Sequence, residues 1–410
     1  MLRSMFTAVS ALNLHQTYMD VIANNLANAN TTGYKASRVL FQDQFYQLLS
    51  PGAGPSTTLG GINPSQIGLG VQLGYVAPVF TQGMLQSTGR NLDLGIQGDG
   101  FLIYDQGAST RYSREGSLTL DSNGFLVNAS TGLHVQGWSA DTDGVIDPNL
   151  PPNNIQLITD KTVAKASENA VFGGNLDAKT ATDGVVSTTM GLYDSLGVLH
   201  TAKVEFTRNT DNEWGWKFTE PAGHVAGEGT ITFDAAGQYT GSTIDVPVTI
   251  DGSAGANQIG DPGGLTLDLK NMTMLSMDDS VAVTSQDGLP AGTVNGLYIT
   301  PNDGSIYLTY SNGVRQQVAQ LAMARFTNPS GLIDAGHTTY QQGLNSGEPE
   351  IGTANTGGRG TIASGYLEAS NVDMAQEFTN MILAQRGFQA SSRVITTSDE
   401  IMQELVNLKR

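Results

Sequence analysis

Both ends of this chain carry heptad repeats, a pattern that is hard to satisfy anywhere except on paired helices. Toward the C-terminus, Met374, Met381, Phe388, Ile395 and Met402 recur every seven residues, within a stretch from Val372 to Leu408 that has no Pro and one Gly, Gly387. At the N-terminus, Met5, Leu12, Met19 and Leu26 keep the same spacing. Such a repeat drifts slowly round an ideal helix, so its seam stays facing a partner only if helices wind together. The positions between are less regular: Phe378 and Val406 are apolar, whereas Gln385, Ser392 and Asp399 are not. The seam is therefore narrow and one-sided, and each end is expected to pair with the other or with copies of the same chain. The first helix is expected from Ser4, a suitable N-cap, to about Asn28, where a polar Asn/Thr/Gly cluster ends it. The second is expected to follow a capping-box pattern, Ser370-Asn371-Val372-Asp373. With one narrow seam, the first helix is marginal alone and is expected to order on assembly.

Between the ends the texture changes. Glycine is abundant, 50 of 410 residues, and charged residues supply 14%, well under the usual quarter. Short β-like runs at Val71–Phe80, Leu92–Ile96, Gly100–Tyr104, Gly116–Leu120 and Gly124–Val127 predict an antiparallel β domain, with partner strands expected near Val281–Tyr310 and Val318–Phe326. Alternating runs at Val185–Tyr193, His200–Thr207, Trp214–Phe218, Gly229–Phe233 and Leu265–Leu269 predict a second all-β module, inserted into the first. The expected fold is thus mainly β with an α-helical terminal coiled-coil region, the N- and C-terminal helices paired and the antiparallel β domains nested. The division reads 1–30 with 366–410 for the helices, 31–70 with 340–365 for connecting segments, 71–144 with 285–339 for an inner β domain, and 145–284 for an outer one. The Pro/Gly/Ser-rich part of the first connection reads either as a flexible linker or as a loop that touches neighbours.

Charge and chemistry narrow the function. The net charge is −18. Residues 1–50 hold Arg3, Lys35 and Arg38 against Asp20 and Asp43, and residues 371–410 hold four basic against five acidic groups, so the middle carries the excess. Near-neutral ends can pack closely; an acidic body argues against nucleic acid or an anionic membrane as partner. There is no cysteine, which removes disulfides, thiolate metal sites and thiol nucleophiles. No secretory signal pattern and no apolar run long enough to span a membrane is found, so no membrane insertion is expected. The five histidines lack metal-ligand spacing. Asp141-Thr142-Asp143-Gly144 starts like a calcium loop but has Pro152 where the loop needs Glu, and reads as a turn. Gly98-Asp99-Gly100-Phe101 has no following helix and no Lys to cradle a phosphate. Asp278-Asp279 reads as a solvated loop rather than an acid–base pair. No catalytic residue, metal or cofactor is expected.

Three stretches resemble the flagellar rod and hook proteins. The run Asp20–Asn28 with Thr32-Gly33-Tyr34-Lys35 is similar to their N-terminal signature, in which Asn24, Asn25, Leu26, Asn28, Thr32, Gly33 and Tyr34 fall on motif positions. The run from Leu92 to Phe101, ending Gly98-Asp99-Gly100-Phe101, resembles a second motif, and Glu368–Asp373 with Gln385–Ala390 resembles a third. Together they bracket the chain in the family's order. The inserted module, with Leu192-Tyr193-Asp194-Ser195-Leu196-Gly197 and Trp214-Gly215-Trp216, looks like the outer domain of the hook-type members; distal-rod members, which lack it, are the alternative. The resemblance implies a structural homo-polymer without enzymatic activity. It implies export through the flagellar export apparatus and growth beneath a hook cap as a helical tube. It also implies junctions with rod proteins and hook–filament junction proteins, and a curved tube that transmits torque from motor to filament. Met5, Leu12, Met19, Leu26, Met374, Phe378, Met381, Phe388, Ile395 and Met402 are the expected assembly seam.

Overall fold

The computed structural model describes residues 2–55, 60–107, 109–141, 144–220, 223–260 and 264–407, with the side chain of Leu2 excepted. The first helix, α1, spans Leu2–Ala27 and the last, α2, spans Met374–Asn407. Their 26 and 34 residues correspond to rods of about 39 and 51 Å at 1.5 Å per residue. They pack on each other antiparallel: Asn25 bonds Glu377 near one end, and the His15 ring lies against Gly387 further along. On α2 the seam residues Met381, Phe388, Ile395 and Met402 are half-buried, and the positions three residues on carry Ala384, Ser391 and Ser398, of which Ala384 and Ser398 are buried. On α1 the equivalent pairs are half-buried Met5, Leu12 and Met19 with Ala8, His15 and Ile22. On α2 large residues thus alternate with small ones along the seam, which leaves room for the larger α1 side chains such as His15 and Ile22. The cap of α2 is Asp373, whose Oδ1 accepts the N–H groups of Ala375 and Gln376 at 2.9 and 3.1 Å. Ser370 instead bonds the Val372 N–H, so the helix starts one turn later than a Ser370 cap would give.

The chain divides into two compact units, residues 1–157, 299–306 and 317–410, and residues 158–298 with 307–316. In the first, residues 317–325 of the strand Arg315–Arg325 and the antiparallel strands His134–Ser139, Phe101–Asp105, Thr110–Ser113 and Thr339–Gln341 lie side by side. Phe101, Tyr112, Trp138, Phe326 and Tyr340 fill its core, with ring pairs edge-on, as between Tyr112 and Phe326 at 4.8 Å. The C-terminal segment returns to the first half: Thr361–Ser364 pairs with Leu94–Gln97, and Tyr366–Glu368 with Leu85–Ser87. Residues 37–78 form a ribbon of β1 (Ser37–Asp43) on β4 (Val71–Pro78), continued by β2 (Tyr46–Ser50) on β3 (Ser65–Gly68). The Pro/Gly-rich stretch therefore carries strands of its own.

The second unit is a five-stranded antiparallel meander, Val185–Tyr193 through Tyr239–Val246, with a three-stranded sheet. In that smaller sheet Asn169–Asp177 pairs in parallel with Thr266–Leu275 and antiparallel with Ala282–Gln286. Ala282–Gln286, expected among the inner strands, thus pairs within the second unit. The alternation in Glu213–Thr219 sends Trp214, Trp216 and Phe218 inward, among the largest fully buried side chains.

Candidate functional site: where the chain ends meet

The three sequence motifs converge on one polar junction at the root of the helix pair. Asn25, on the last turn of α1, is 1% exposed. Its Oδ1 accepts the Ser37 N–H at 2.9 Å and the Tyr34 hydroxyl at 3.1 Å, while its Nδ2 donates to the Ser37 carbonyl at 2.9 Å and to Glu377 Oε1 at 3.4 Å. All four bonding positions of the amide are used, tying α1 to β1 and to α2. Asn28 closes the helix end by donating to the Asn24 carbonyl and Oδ1 and accepting from Thr31. Leu26 is half-buried on the seam. Gly33 then turns the chain at φ +69°, where a Cβ would stand 2.8 Å from the Glu115 nitrogen, so that its N–H can donate to the Glu368 carbonyl at 2.8 Å. Thr32 donates to Glu115.

Beneath this turn lies a buried ion triad. Lys35 Nζ stands 2.6 Å from Glu368 Oε1, with neither side chain exposed, and also donates to the Thr81 carbonyl at 2.8 Å. Arg114 Nη1 stands 3.5 Å from Glu368 Oε2, and its Nη2 donates to the Gly98 carbonyl at 2.9 Å. Burial pushes the Lys35 pKa down, the Glu368 charge opposes that, and the Arg114 charge adds to it. The guanidinium sits over the Phe101 ring, 5.4 Å from its centroid. Gly98 holds φ +102° with its N–H on Gln82 Oε1, Asp99 offers its carbonyl to the Gly360 N–H, and Gly100 packs against Met323. Asn371 completes the junction: its Nδ2 donates to Val79 and Thr81, and its Oδ1 accepts the Ala36 N–H. Lys35, Arg114, Glu368 and Asn371 were not singled out from the sequence. Lys35, Glu368 and Asn371 stand inside the motif runs, but a charged or amide side chain reads as a solvated one until its burial is seen.

The seam residues divide by exposure. Met381, Phe388, Ile395 and Met402 are half-buried, whereas Met374 and Phe378 are each 51% exposed, on an outward stripe with Ile382. Glu377 lies on the inner side beside Asn25; burial raises its carboxyl pKa, the Asn25 and Asn380 bonds oppose this, Asp373 adds to it, and its Oε2 is buried without a partner.

Elsewhere, Asp194, His200 and Ser253 come together in the second unit, but His200 Nε2 faces both the Asp194 Oδ2 at 2.9 Å and the Ser253 Oγ at 3.4 Å. A serine nucleophile needs its base's two ring nitrogens split between carboxylate and hydroxyl; here one nitrogen serves both, and the group is a loop clamp. Asp141 accepts the Gly144 and Val145 N–H groups as a turn does, while Thr142 and Asp143, like Leu408, lie outside the described residues. Asp278 and Asp279 are exposed, and Asp279 bonds the Asp177 N–H. Among the described residues no cluster of three or more His, Cys, Asp or Glu is arranged to hold a metal, and no helix is long and apolar enough to cross a membrane.

Comparison with protein families matches residues 5–35 to flagella basal body rod protein, 95–170 to the flagellar hook protein FlgE/F/G D1 domain, 158–289 to the flagellar basal body protein FlaE D2 domain, and 363–408 to the flagellar basal body rod FlgEFG protein C-terminal region. The chain is 37% identical to the flagellar hook protein FlgE of Borreliella burgdorferi and 36% identical to that of Treponema pallidum, in each case over 100% of both chains. It is 29% identical to the flagellar basal-body rod protein FlgG of Bacillus subtilis, again over 100% of both. With those identities carried across its whole length, the chain belongs to the flagellar hook protein FlgE family.

Proposed function

We propose that the chain is a structural subunit of the flagellar hook, polymerising through its terminal helices into a curved, flexible tube that passes torque from rod to filament. The observation that carries this reading is the antiparallel α1–α2 pair, anchored at its root by a buried triad yet leaving apolar residues of both helices exposed, Phe6 at 72% and Phe378 at 51%. A packed helix layer resists twisting because sliding a side chain out of its socket exposes apolar area at about 25 cal/mol per Å². The acidic β modules carry the charge, and small shifts between neighbouring copies' modules let the tube bend. The working division is the helix region (1–30 with 366–410), the connections (31–70 with 340–365), the inner β domain (71–144 with 285–339) and the outer one (145–284). Partners in this reading are sister copies, rod proteins, the hook cap, hook–filament junction proteins and the export apparatus that delivers the chain outside the cell. No catalytic step, metal or cofactor enters it.

Phe388→Asp or Leu12→Asp is expected to leave a soluble monomer with intact β circular dichroism that does not sediment as polymer. Normal tubes from either variant overturn the seam reading. The rod alternative, supported by the Bacillus relative, calls for straight polymer; electron microscopy of polymer made from pure protein separates the two.

A further inference from the structure

Two surfaces of the first unit combine exposed apolar side chains with an absence of charge. From Gln44 to Gly89 the chain contains no Asp, Glu, Lys, Arg or His, although the protein as a whole carries −18. The β2–β3 ribbon lies in this run, and every residue of both strands is exposed. Cross-strand partners share a face in an antiparallel pair, so Tyr46 and Leu48 project on one side and Ile67 on the other, while Leu49 is the unpaired residue of the register shift between Leu48 and Ser50. Phe45, beside them, is 86% exposed. Among the described residues neither edge of this ribbon meets another strand. A two-stranded ribbon bare on both faces is at best marginal in water, and open edges in monomeric proteins are ordinarily guarded by charge, of which this one has none. The second surface is the outward stripe Met374, Phe378 and Ile382 on α2; the only charged residue from Met374 to Gln385 is Glu377, turned inward beside Asn25.

We infer that the β2–β3 ribbon of one copy docks on the Met374–Phe378–Ile382 stripe of the next. The inference rests on the polymer reading above and deepens it by naming which surfaces meet. Two acidic bodies can approach closely only through surfaces free of like charge, and cores of interfaces are depleted in charged residues; both surfaces meet that condition. They are also different surfaces, so their contact is head-to-tail, and a head-to-tail contact propagates into an open helical assembly rather than closing as a pair.

The absence of cysteine supplies the test. Leu48→Cys and Ile382→Cys chains are made separately, and sedimentation and electron microscopy first establish that each, and wild type, forms polymer. Mixed polymer is then oxidised and its disulfide-linked dimers are mapped by mass spectrometry. The expected product joins position 48 of one chain to position 382 of another, at least tenfold above either self-linked dimer. Dimers linked 48 to 48 would mean ribbon pairs with ribbon, and polymer without cross-links would mean neither surface meets the other; both overturn the inference while leaving the polymer reading intact. Wild type that forms no polymer removes the reading and the inference with it. A charge exchange gives the same answer without oxidation. Leu48→Lys alone and Phe378→Glu alone are each expected to abolish sedimentation, and the two variants mixed, or combined in one chain, to restore it. Failure of restoration with both variants folded by circular dichroism overturns the pairing.

Discussion

Glu368 answers two cations that come from far apart in the chain, Lys35 and Arg114, and none of the three reaches solvent. Deleting one member of a buried ion group costs more than the group contributes, because the remaining charge is stranded in a poor dielectric. Glu368→Ala is therefore expected to destabilise the junction by about 3–5 kcal/mol, read as faster amide exchange in Leu94–Gln97 and Leu85–Ser87. Replacing Lys35, Arg114 and Glu368 together by Met, Met and Leu is expected to cost far less. If the single and triple variants cost the same, the triad is not the junction's electrostatic lock. The triad couples three distant segments, so the root of the helix pair cannot be half formed without stranding a charge.

At the scale of elements, the one glycine of α2 marks a close approach of the two helices. A Cβ on Gly387 would stand 2.5 Å from the His15 ring. In an isolated helix Gly→Ala stabilises by about 1 kcal/mol, so the sign of the effect tells packing from propensity. Gly387→Ala is expected to lower the thermal stability of the assembled helices in the wild-type background and to raise it when His15→Ala has emptied the site. The same sign in both backgrounds would mean the two residues do not compete for space. The heptads made these helices legible from the sequence, because Met381, Phe388, Ile395 and Met402 are large. Their companions were not legible: the seam alternates with Ala384, Ser391 and Ser398 three residues on, whereas Gln385, Ser392 and Asp399, four on from Met381, Phe388 and Ile395, made the seam look single-sided. Small residues leave no hydrophobic signal although they leave room for the larger α1 side chains. The strands of the second unit were legible where inward aromatics alternate, as in Trp214–Phe218. The β2–β3 ribbon was not, since strands buried on neither face lack the alternation that burial imposes.

For the whole molecule, the distribution of carboxylates predicts how it responds to acid. In the second unit burial alone would raise the Asp194 pKa, but bonds from Ser253, His200 and Val198 outweigh it and hold the carboxyl well below the usual range. Asp287 is held low in the same way by Asn169, Glu168 and Lys165. A carboxyl whose folded pKa is depressed stabilises the fold above its unfolded pKa of about 3.9 and loses that contribution as pH falls toward the folded value. Glu377 in the helix pair has the opposite sign: its folded pKa is raised, so its contribution improves as pH falls through that value and is lost as pH rises. Mild acid also neutralises part of the −18 charge that keeps copies apart. Acidification from neutrality to about pH 4 is therefore expected to favour helix pairing and self-association while the second unit stays folded, and stronger acid to melt that unit. Calorimetry across this range checks it: Asp194→Asn should lower the second unit's Tm by a constant amount above about pH 4 and by a shrinking amount below, and Glu377→Gln should strengthen polymer at neutral pH with no gain in acid. An Asp194→Asn deficit that grows on acidification would reverse the sign and refute the assignment.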